Sequence, residues 1–312
     1  MSRKIQQWRF WACGVVLSVS GCAALPPDFN PGVGEDEWAS APPIERTFTH
    51  GLLWRVEKAG SKTGYVYGTM HSDDPRVVNV PLIVTDAINQ SKSFAMELVM
   101  DDRATETMSK FMYYPEPDRL ATLLDKSLYE RTVSTLVARG IPQSAASRMQ
   151  VWLIIATLSL PRTRSGDFLD LHLMKHAQQR NLSINGLETI AEQLRPFQEI
   201  DISQQVILLS SVLEHAGNAD KILESAHDYY LKRDLSGLMR LNSEIFNFSD
   251  PLINETLMRY LITDRNHQMA VRIMRLMRTE TTFAAIGAMH LPGNEGVLNL
   301  LKQRGYQLTL VY

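Results

Sequence analysis

Cysteine is nearly absent from this chain. The 312 residues include only Cys13 and Cys22, both close to the N-terminus. The remainder therefore has no thiol for a disulfide, for a Cys-based zinc site or for a cysteine nucleophile. A folded domain beyond Cys22 must be stabilised by its core alone, and a hydrophobic content of 45% is enough for that.

Several other signals are missing as well. The formal net charge is −2 and Lys and Arg form no basic stripe, so nucleic acid is not an expected partner. No apolar run reaches the ~18 residues of a membrane span. Ser210 and Ser211 do not lie in a Gly-x-Ser-x-Gly motif, which leaves serine hydrolase chemistry without support. His172 and His176 lack the Glu of His-Glu-x-x-His, so a solvated helix face is the favoured interpretation.

The N-terminus resembles a bacterial lipoprotein signal. It has a basic segment, a short apolar stretch and a small-residue cleavage site, namely Arg3, Lys4 and Arg9, then Phe10 to Val19, then Val19-Ser20-Gly21-Cys22. We predict a signal peptide over 1–21 and a lipidated thiol at Cys22, which the resemblance implies to carry a diacylglyceryl group with an N-acyl chain such as palmitate. Ala23 favours the outer membrane, facing the periplasm. An ordinary cleaved signal peptide is the alternative.

The rest of the chain predicts a tether and one domain. Residues 22–47 are rich in Pro, Gly and acidic residues and indicate a linker. Residues 48–312 predict an α/β domain with a central mixed β-sheet built from both chain ends and large helical insertions. Predicted strands cover 52–57, 65–70, 94–99, 182–187, 283–289 and 306–311, with helical patterns over 82–91, 104–180, 193–277 and 295–304.

A tetrapeptide occurs twice with related sequence, as Gly68-Thr69-Met70-His71 and Gly287-Ala288-Met289-His290. Each copy ends a predicted strand, and open α/β sheets bind ligands at the carboxyl ends of their strands. Two imidazoles that each follow the carboxyl end of a strand could bind the same metal ion. The alternative is two unrelated strand ends that each carry a histidine.

Two carboxylates also end predicted strands, Glu97 and Glu188. Imidazole nitrogens and carboxylate oxygens suit Zn²⁺, Mn²⁺ or Co²⁺. Such an ion lowers the pKa of bound water, and a nearby carboxylate can then act as general base. The pattern predicts a divalent-metal site where these strands end.

The sequence is similar to the TraB/GumN family, which includes the TIKI proteins. The resemblance covers roughly residues 52–312. It rests on the two tetrapeptides and on Met96-Glu97-Leu98, Leu187-Glu188-Thr189, Glu192-Gln193-Leu194, Arg265-Asn266, Leu291-Pro292-Gly293, Gly296-Val297-Leu298 and Gly305-Tyr306. It implies a fold shared with erythromycin-esterase-like (EreA) and ChaN-like proteins, together with divalent-metal-dependent protease activity.

The resemblance also implies roles for individual residues. His71, Glu97 and His290 are the implied metal ligands, and Glu188 is a ligand or general base. Arg265 and Asn266 are implied to hold substrate or an oxyanion. Asp170 matches an Asp of the family and has no assigned role.

The predicted function is that of a lipid-anchored metallohydrolase that acts on a peptide or protein substrate in the cell envelope. The alternative is a non-catalytic lipoprotein that binds haem or a peptide in the same cleft.

Overall fold

The computed structural model describes residues 47–159, 167–215, 219–246, 255–256 and 258–312. The predicted signal peptide, the lipidation site Cys22 and the tether up to residue 46 lie outside these residues. In the described part, no helix combines the length and the hydrophobicity that crossing a membrane requires.

Strands from both ends of the chain and one strand from its middle form the sheet, and helices fill the intervals. The strands are β1 Leu53–Glu57, β2 Gly64–Thr69, β3 Ser93–Leu98, β4 Ser183–Glu188, β5 Thr282–Gly287 and β6 Gln307–Leu310. The helices are α1 Pro75–Val78, α2 Leu82–Asn89, α3 Asp102–Met112, α4 Arg119–Leu123, α5 Lys126–Ala138, α6 Gln143–Ala146, α7 Val151–Ser159, α8 Leu169–Gln179, α9 Ile190–Glu199, α10 Ile202–His215, α11 Ala219–Leu231, α12 Leu235–Phe246, α13 Asp264–Met277 and α14 Val297–Gln303. A π-helical turn, Arg259–Thr263, leads into α13.

The six strands form one mixed sheet in the order β4-β3-β5-β2-β1-β6. Strands β4, β3, β5 and β2 are mutually parallel, whereas β1 is antiparallel to both β2 and β6. The hairpin β1–β2 and the closing strand β6 therefore join the two chain ends on one side of the sheet. This confirms the predicted α/β class.

The central strands are buried because helices cover them. Every residue of β3 is buried, and in β5 only Gly287 is partly exposed. Such strands show no alternation of apolar and polar residues, as expected for parallel strands covered on both faces. A polar side chain in β3 or at the end of β5 is therefore placed in the interior and needs a partner there.

A second hydrophobic cluster lies among the helices inserted after β3 and β4. It includes Trp152, Leu153, Leu194 and Leu209 and reaches the sheet at Leu98, the last residue of β3. Helix α9 begins directly after β4 with a capping box, in which Thr189 and Glu192 satisfy each other's backbone N–H groups. The helical insertions thus leave the sheet at the carboxyl ends of β3 and β4.

The predicted boundary that bears most on the site is wrong. The strand predicted over 283–289 ends at Gly287, and residues Ala288–His290 form a 3₁₀ turn. The chain leaves the ladder there because the N–H of Gly287 donates to the Glu97 carboxylate. His290 therefore lies one turn beyond the sheet.

Candidate active site

The four parallel strands carry the predicted site residues along one edge of the sheet. Glu188 ends β4, Glu97 is the penultimate residue of β3, and His290 and His71 follow β5 and β2. These strands are consecutive in the sheet, and Thr69 pairs with Gly287 in the register of β2 and β5. The two Gly-x-Met-His motifs therefore occupy neighbouring strands, offset by one residue. The fold brings His71, Glu97, Glu188 and His290 to a common edge.

Glu97 and Glu188 share one buried arginine. The Nη2 of Arg265 donates to Glu97 Oε2 at 2.6 Å and to Glu188 Oε2 at 2.7 Å. Its Nε donates to both oxygens of Glu188, at 2.9 and 3.1 Å. The three side chains are almost inaccessible, at 8%, 6% and 0% exposure for Arg265, Glu97 and Glu188. A cation between two carboxylates is the arrangement that permits such burial.

The position of Arg265 fixes the charge of the cluster. It lies in the first turn of α13, which packs against β3, β4 and β5. Burial alone would lower the pKa of Arg265, but Glu97 and Glu188 outweigh that effect and raise its pKa above the ordinary value. Gln193, from the first turns of α9, adds a hydrogen bond from its Nε2 to Glu188 Oε2 at 3.0 Å. Both oxygens of Glu188 thereby accept hydrogen bonds.

Glu97 has a second fixed contact, with the backbone of β5. The N–H of Gly287 donates to Glu97 Oε1 at 2.7 Å. A Cβ on residue 287 would lie 3.2 Å from that oxygen, so glycine permits the close approach. Both oxygens of Glu97 are thus engaged, one with Arg265 and one with the peptide of Gly287.

His290 is held in a defined tautomer. Asn266 Nδ2 donates to the carbonyl of Glu295 at 2.7 Å, which turns Asn266 Oδ1 toward His290 Nδ1, 2.6 Å away. Nδ1 therefore carries the proton and Nε2 has a free lone pair, 3.6 Å from Glu97 Oε1. Burial, aided by the charge of Arg265, lowers the pKa of His290 to about 3. A neutral imidazole with a free nitrogen is the form that binds a metal ion.

His71 lies in a second polar cluster beside the first. Its ring stacks on Phe168, with the centroids 3.7 Å apart. Its Nδ1 is 3.6 Å from Asp170 Oδ2, and the other oxygen of Asp170 accepts a 2.6 Å hydrogen bond from Thr69. The start of α8, which carries Asp170, is fixed to the loop after β2 by a hydrogen bond from the N–H of Leu169 to the carbonyl of Ser72.

The donor chemistry of these clusters fits a divalent metal ion. His71 Nδ1 and Nε2 and Asp170 Oδ2 are buried and have no hydrogen-bond partner among the described residues. Buried polar atoms normally have partners, so these three are suited to a ligand. In the part of the chain that the structure describes, however, no three His, Cys, Asp or Glu side chains are grouped closely enough to hold an ion. The potential donors form pairs, His71 with Asp170 and His290 with Glu97.

Other candidates from the sequence do not join these clusters. His172 and His176 face different partners, Asp167 and Asn89, and do not form a common site. The sequence predicts no role for Thr69, Phe168 or Gln193. Thr69 belongs to the first tetrapeptide, but no sequence signal indicates a hydrogen bond to a helix about 100 residues away.

The fold and this site define the class of protein. It is an α/β protein with a mixed sheet in which two strand-end glutamates contact the buried Arg265 and the second of two Gly-x-Met-His motifs contacts Asn266 through His290. The sequence profile described as the TraB/PrgY/gumN family matches residues 52–310. The chain belongs to this family.

Several relatives carry the name metalloprotease. The chain is 27% identical to "Metalloprotease TIKI homolog" of Amphimedon queenslandica, which covers 83% of the chain and 61% of the relative. It is 25% identical to "Metalloprotease TIKI2" of Danio rerio over 85% of the chain and 62% of the relative. It is 24% identical to "Metalloprotease TIKI1" of Danio rerio over 90% of the chain and 66% of the relative. The chain spans less than two thirds of the length of these relatives.

Proposed function

We propose that this protein is a divalent-metal-dependent hydrolase that cleaves peptide bonds. The observation that carries the proposal is the sheet edge where His290 and His71 follow neighbouring strands: His290 is neutral with a free Nε2, and the ring nitrogens of His71 have no hydrogen-bond partner among the described residues. The names of the relatives support a metal dependence and peptide-bond chemistry. The ion would be Zn²⁺, Mn²⁺ or Co²⁺, since imidazole and carboxylate donors suit all three.

The two histidines would supply nitrogen donors, with a carboxylate at the same edge as a third donor. A divalent ion bound there lowers the pKa of water and polarises a carbonyl group. Asn266 keeps the Nε2 lone pair of His290 directed away from α13, and Phe168 orients the ring of His71. Such outer contacts typically fix ligand orientation in metal sites.

The ion-paired cluster of Arg265, Glu97 and Glu188 supports the site electrostatically. Arg265 offsets part of the charge of two carboxylates that would otherwise repel each other and any anionic transition state more strongly. Glu188 is the proposed proton acceptor, and its donors Arg265 and Gln193 fix its orientation. A role for Arg265 on an oxyanion would require one of its contacts to be exchanged when substrate binds, because its Nε and Nη2 donate to carboxylates and its Nη1 donates to the carbonyl of Leu261.

The proposed location is the bacterial cell envelope, with a peptide or protein substrate in that compartment. The support is the lipoprotein-like signal before Cys22. A lipid anchor at Cys22 would hold the domain at the outer membrane through the Pro-rich tether.

A peptide-cleavage assay tests the proposal. The full chain, kept in detergent, is stripped of metal with a chelator and reconstituted with Zn²⁺, Mn²⁺ or Co²⁺, and a mixture of synthetic peptides is followed by mass spectrometry. We expect cleavage that requires one of the ions and is lost in His71→Ala and His290→Ala, with His172→Ala as a matched control that retains it.

Two outcomes would contradict the proposal. Cleavage that persists in both histidine variants would show a contaminating protease. Metal binding without cleavage of any peptide would favour the non-catalytic alternative, and a Soret band on haem titration would identify its haem-binding form.

A further inference from the structure

A basic cavity lies at the edge of the sheet opposite the candidate active site. It has a volume of about 570 Å³ and is bordered by the turn between β1 and β2 and by the C-terminal ends of α13 and α14. Strand β2 begins at Gly64 and β5 at Thr282 on this side, whereas His71 and His290 follow the other ends of these two parallel strands. The cavity is therefore separate from the residues proposed for catalysis.

Four cationic side chains line this cavity, and among the described residues no Asp or Glu lines it with them. The cations are Lys58, Arg275, Arg278 and Arg304. Lys58 donates to the backbone carbonyl of Arg304 at 2.6 Å, but the three guanidinium groups have no ion pair or side-chain hydrogen bond within the described part of the chain. Like charges gathered without an acidic partner repel one another and attract an anion.

Two acidic residues adjoin the cationic ones in the sequence, but both are engaged elsewhere. Glu57 pairs with Arg55 at 3.1 Å. Glu280 accepts a hydrogen bond from the hydroxyl of Ser183 at 3.2 Å. Neither carboxylate lines the cavity, so its charge is left for a ligand to balance.

The position of the arginines on their helices explains them only in part. Arg275 lies in the last turn of α13, and Arg278 and Arg304 are the C-cap residues of α13 and α14. Cations at helix C-termini offset the helix dipole and stabilise each helix slightly. That effect acts on each helix separately and does not require the cations of two helices and a turn to converge on one cavity.

We propose that this cavity binds the phosphate group of an anionic ligand. Arginine is suited to phosphate because its planar guanidinium donates paired hydrogen bonds to phosphate oxygens. Val271, Met274 and the ring of Tyr306 add apolar surface beside the cations. A phosphorylated small molecule and the headgroup of an anionic phospholipid both offer this chemistry. The site is independent of the proposed metallohydrolase function.

Titration of the full chain in a neutral detergent tests the proposal. The probes are glycerol phosphate and dihexanoyl phosphatidylglycerol, with dihexanoyl phosphatidylcholine as a lipid without net charge. Binding is measured by calorimetry at about 0.15 M salt, where long-range attraction between exposed charges is screened. We expect the wild type to bind at least one of the two anionic probes and to bind phosphatidylcholine more weakly.

Two double variants separate the cavity from the net charge of the protein. Arg275→Gln/Arg278→Gln should lower the affinity by at least about 10-fold, because a hydrogen bond to a charged group contributes about one order of magnitude. Arg103→Gln/Arg131→Gln is the matched control, since it removes the same charge from exposed positions on α3 and α5 and should bind as the wild type does. Circular dichroism and urea unfolding show whether each variant is folded.

Every outcome bears on the site. Tighter binding of phosphatidylglycerol would identify a lipid headgroup as the source of the phosphate, and tighter binding of glycerol phosphate would identify a soluble ligand; both support the proposal. Binding of neither anionic probe, equal affinity for phosphatidylcholine, or an equal loss in the two double variants would overturn it. Unchanged affinity in Arg275→Gln/Arg278→Gln with lower stability would also overturn it, because the arginines would then act only on their helix.

Discussion

Replacing Arg265 with methionine should expose the electrostatic balance of the site. The substitution leaves two carboxylates buried, with side-chain exposures of 6% for Glu97 and 0% for Glu188. Removing one partner of a buried ion pair costs about 3–5 kcal/mol. We therefore expect Arg265→Met to lower the free energy of unfolding at pH 7.5 by about 4 kcal/mol, a large fraction of a typical 5–15 kcal/mol.

The loss should depend on pH in a defined direction. Without the guanidinium, burial and mutual repulsion both disfavour the doubly charged form of the two carboxyl groups. Low pH relieves this penalty by supplying a proton to the folded variant. The difference from wild type should therefore be smaller at pH 5 than at pH 7.5.

The free energies of unfolding of wild type and Arg265→Met are measured at pH 7.5 and at pH 5. The method is urea unfolding in EDTA, followed by circular dichroism. Arg275→Met is the matched control, because Arg275 is exposed on the same helix and its loss should change stability by no more than about 0.5 kcal/mol. Adding Glu188→Gln to Arg265→Met should recover part of the loss. A cost below about 1 kcal/mol at pH 7.5, or one equal at both pH values, would refute the reasoning on buried charge.

Three further predictions concern the neighbouring contacts. Asn266→Ala should lower Co²⁺ affinity about 10–100-fold, measured against a chelating dye, because His290 loses the contact that fixes its tautomer; unchanged affinity would contradict this. In EDTA, the free energy of unfolding of the wild type should fall by about 2 kcal/mol from pH 7.5 to 5. In the folded protein His290 stays neutral down to its pKa of about 3, whereas in the unfolded chain it is protonated below about pH 6.5. His290→Gln should remove most of this slope, and a slope kept in that variant would show another origin. Gly68→Ala should cost about 1–3 kcal/mol in urea unfolding, because its Cβ would lie 2.7 Å from Leu291 Cδ1 and 3.1 Å from the backbone of Ala288. An equal cost for Gly64→Ala, whose Cβ would first meet the flexible side chain of Met277, would argue against the backbone contact as the cause.

The fold was predictable where the sequence pattern is local. Continuous apolar runs indicate β3 and β5, and the apolar spacing of the insertions indicates helices. The end of β5 was not predictable, because Ala288 and Met289 continue an apolar run and only the contact between Gly287 and Glu97 shows why the strand stops.

The candidate site was predictable as a set of strand ends, but its internal pairing was not. Glu97 and Glu188 are identifiable as buried carboxylates, yet their shared partner Arg265 lies 77 residues beyond Glu188 in the sequence. The position of Asp170 beside His71 depends on how α8 packs against the loop after β2. Such long-range contacts follow from packing and have no periodic signal in the chain. The signal-peptide, lipidation and tether assignments, and the roles of the site residues, remain predictions.

The most direct test of the central claim is the metal content of the purified full chain, measured by elemental analysis beside folded His71→Ala and His290→Ala variants. The account predicts about one equivalent of zinc, manganese or cobalt in the wild type, as expected for a single site with three protein ligands, and its loss in both variants. No bound metal in the wild type after reconstitution, or an equivalent retained in both variants, would contradict it.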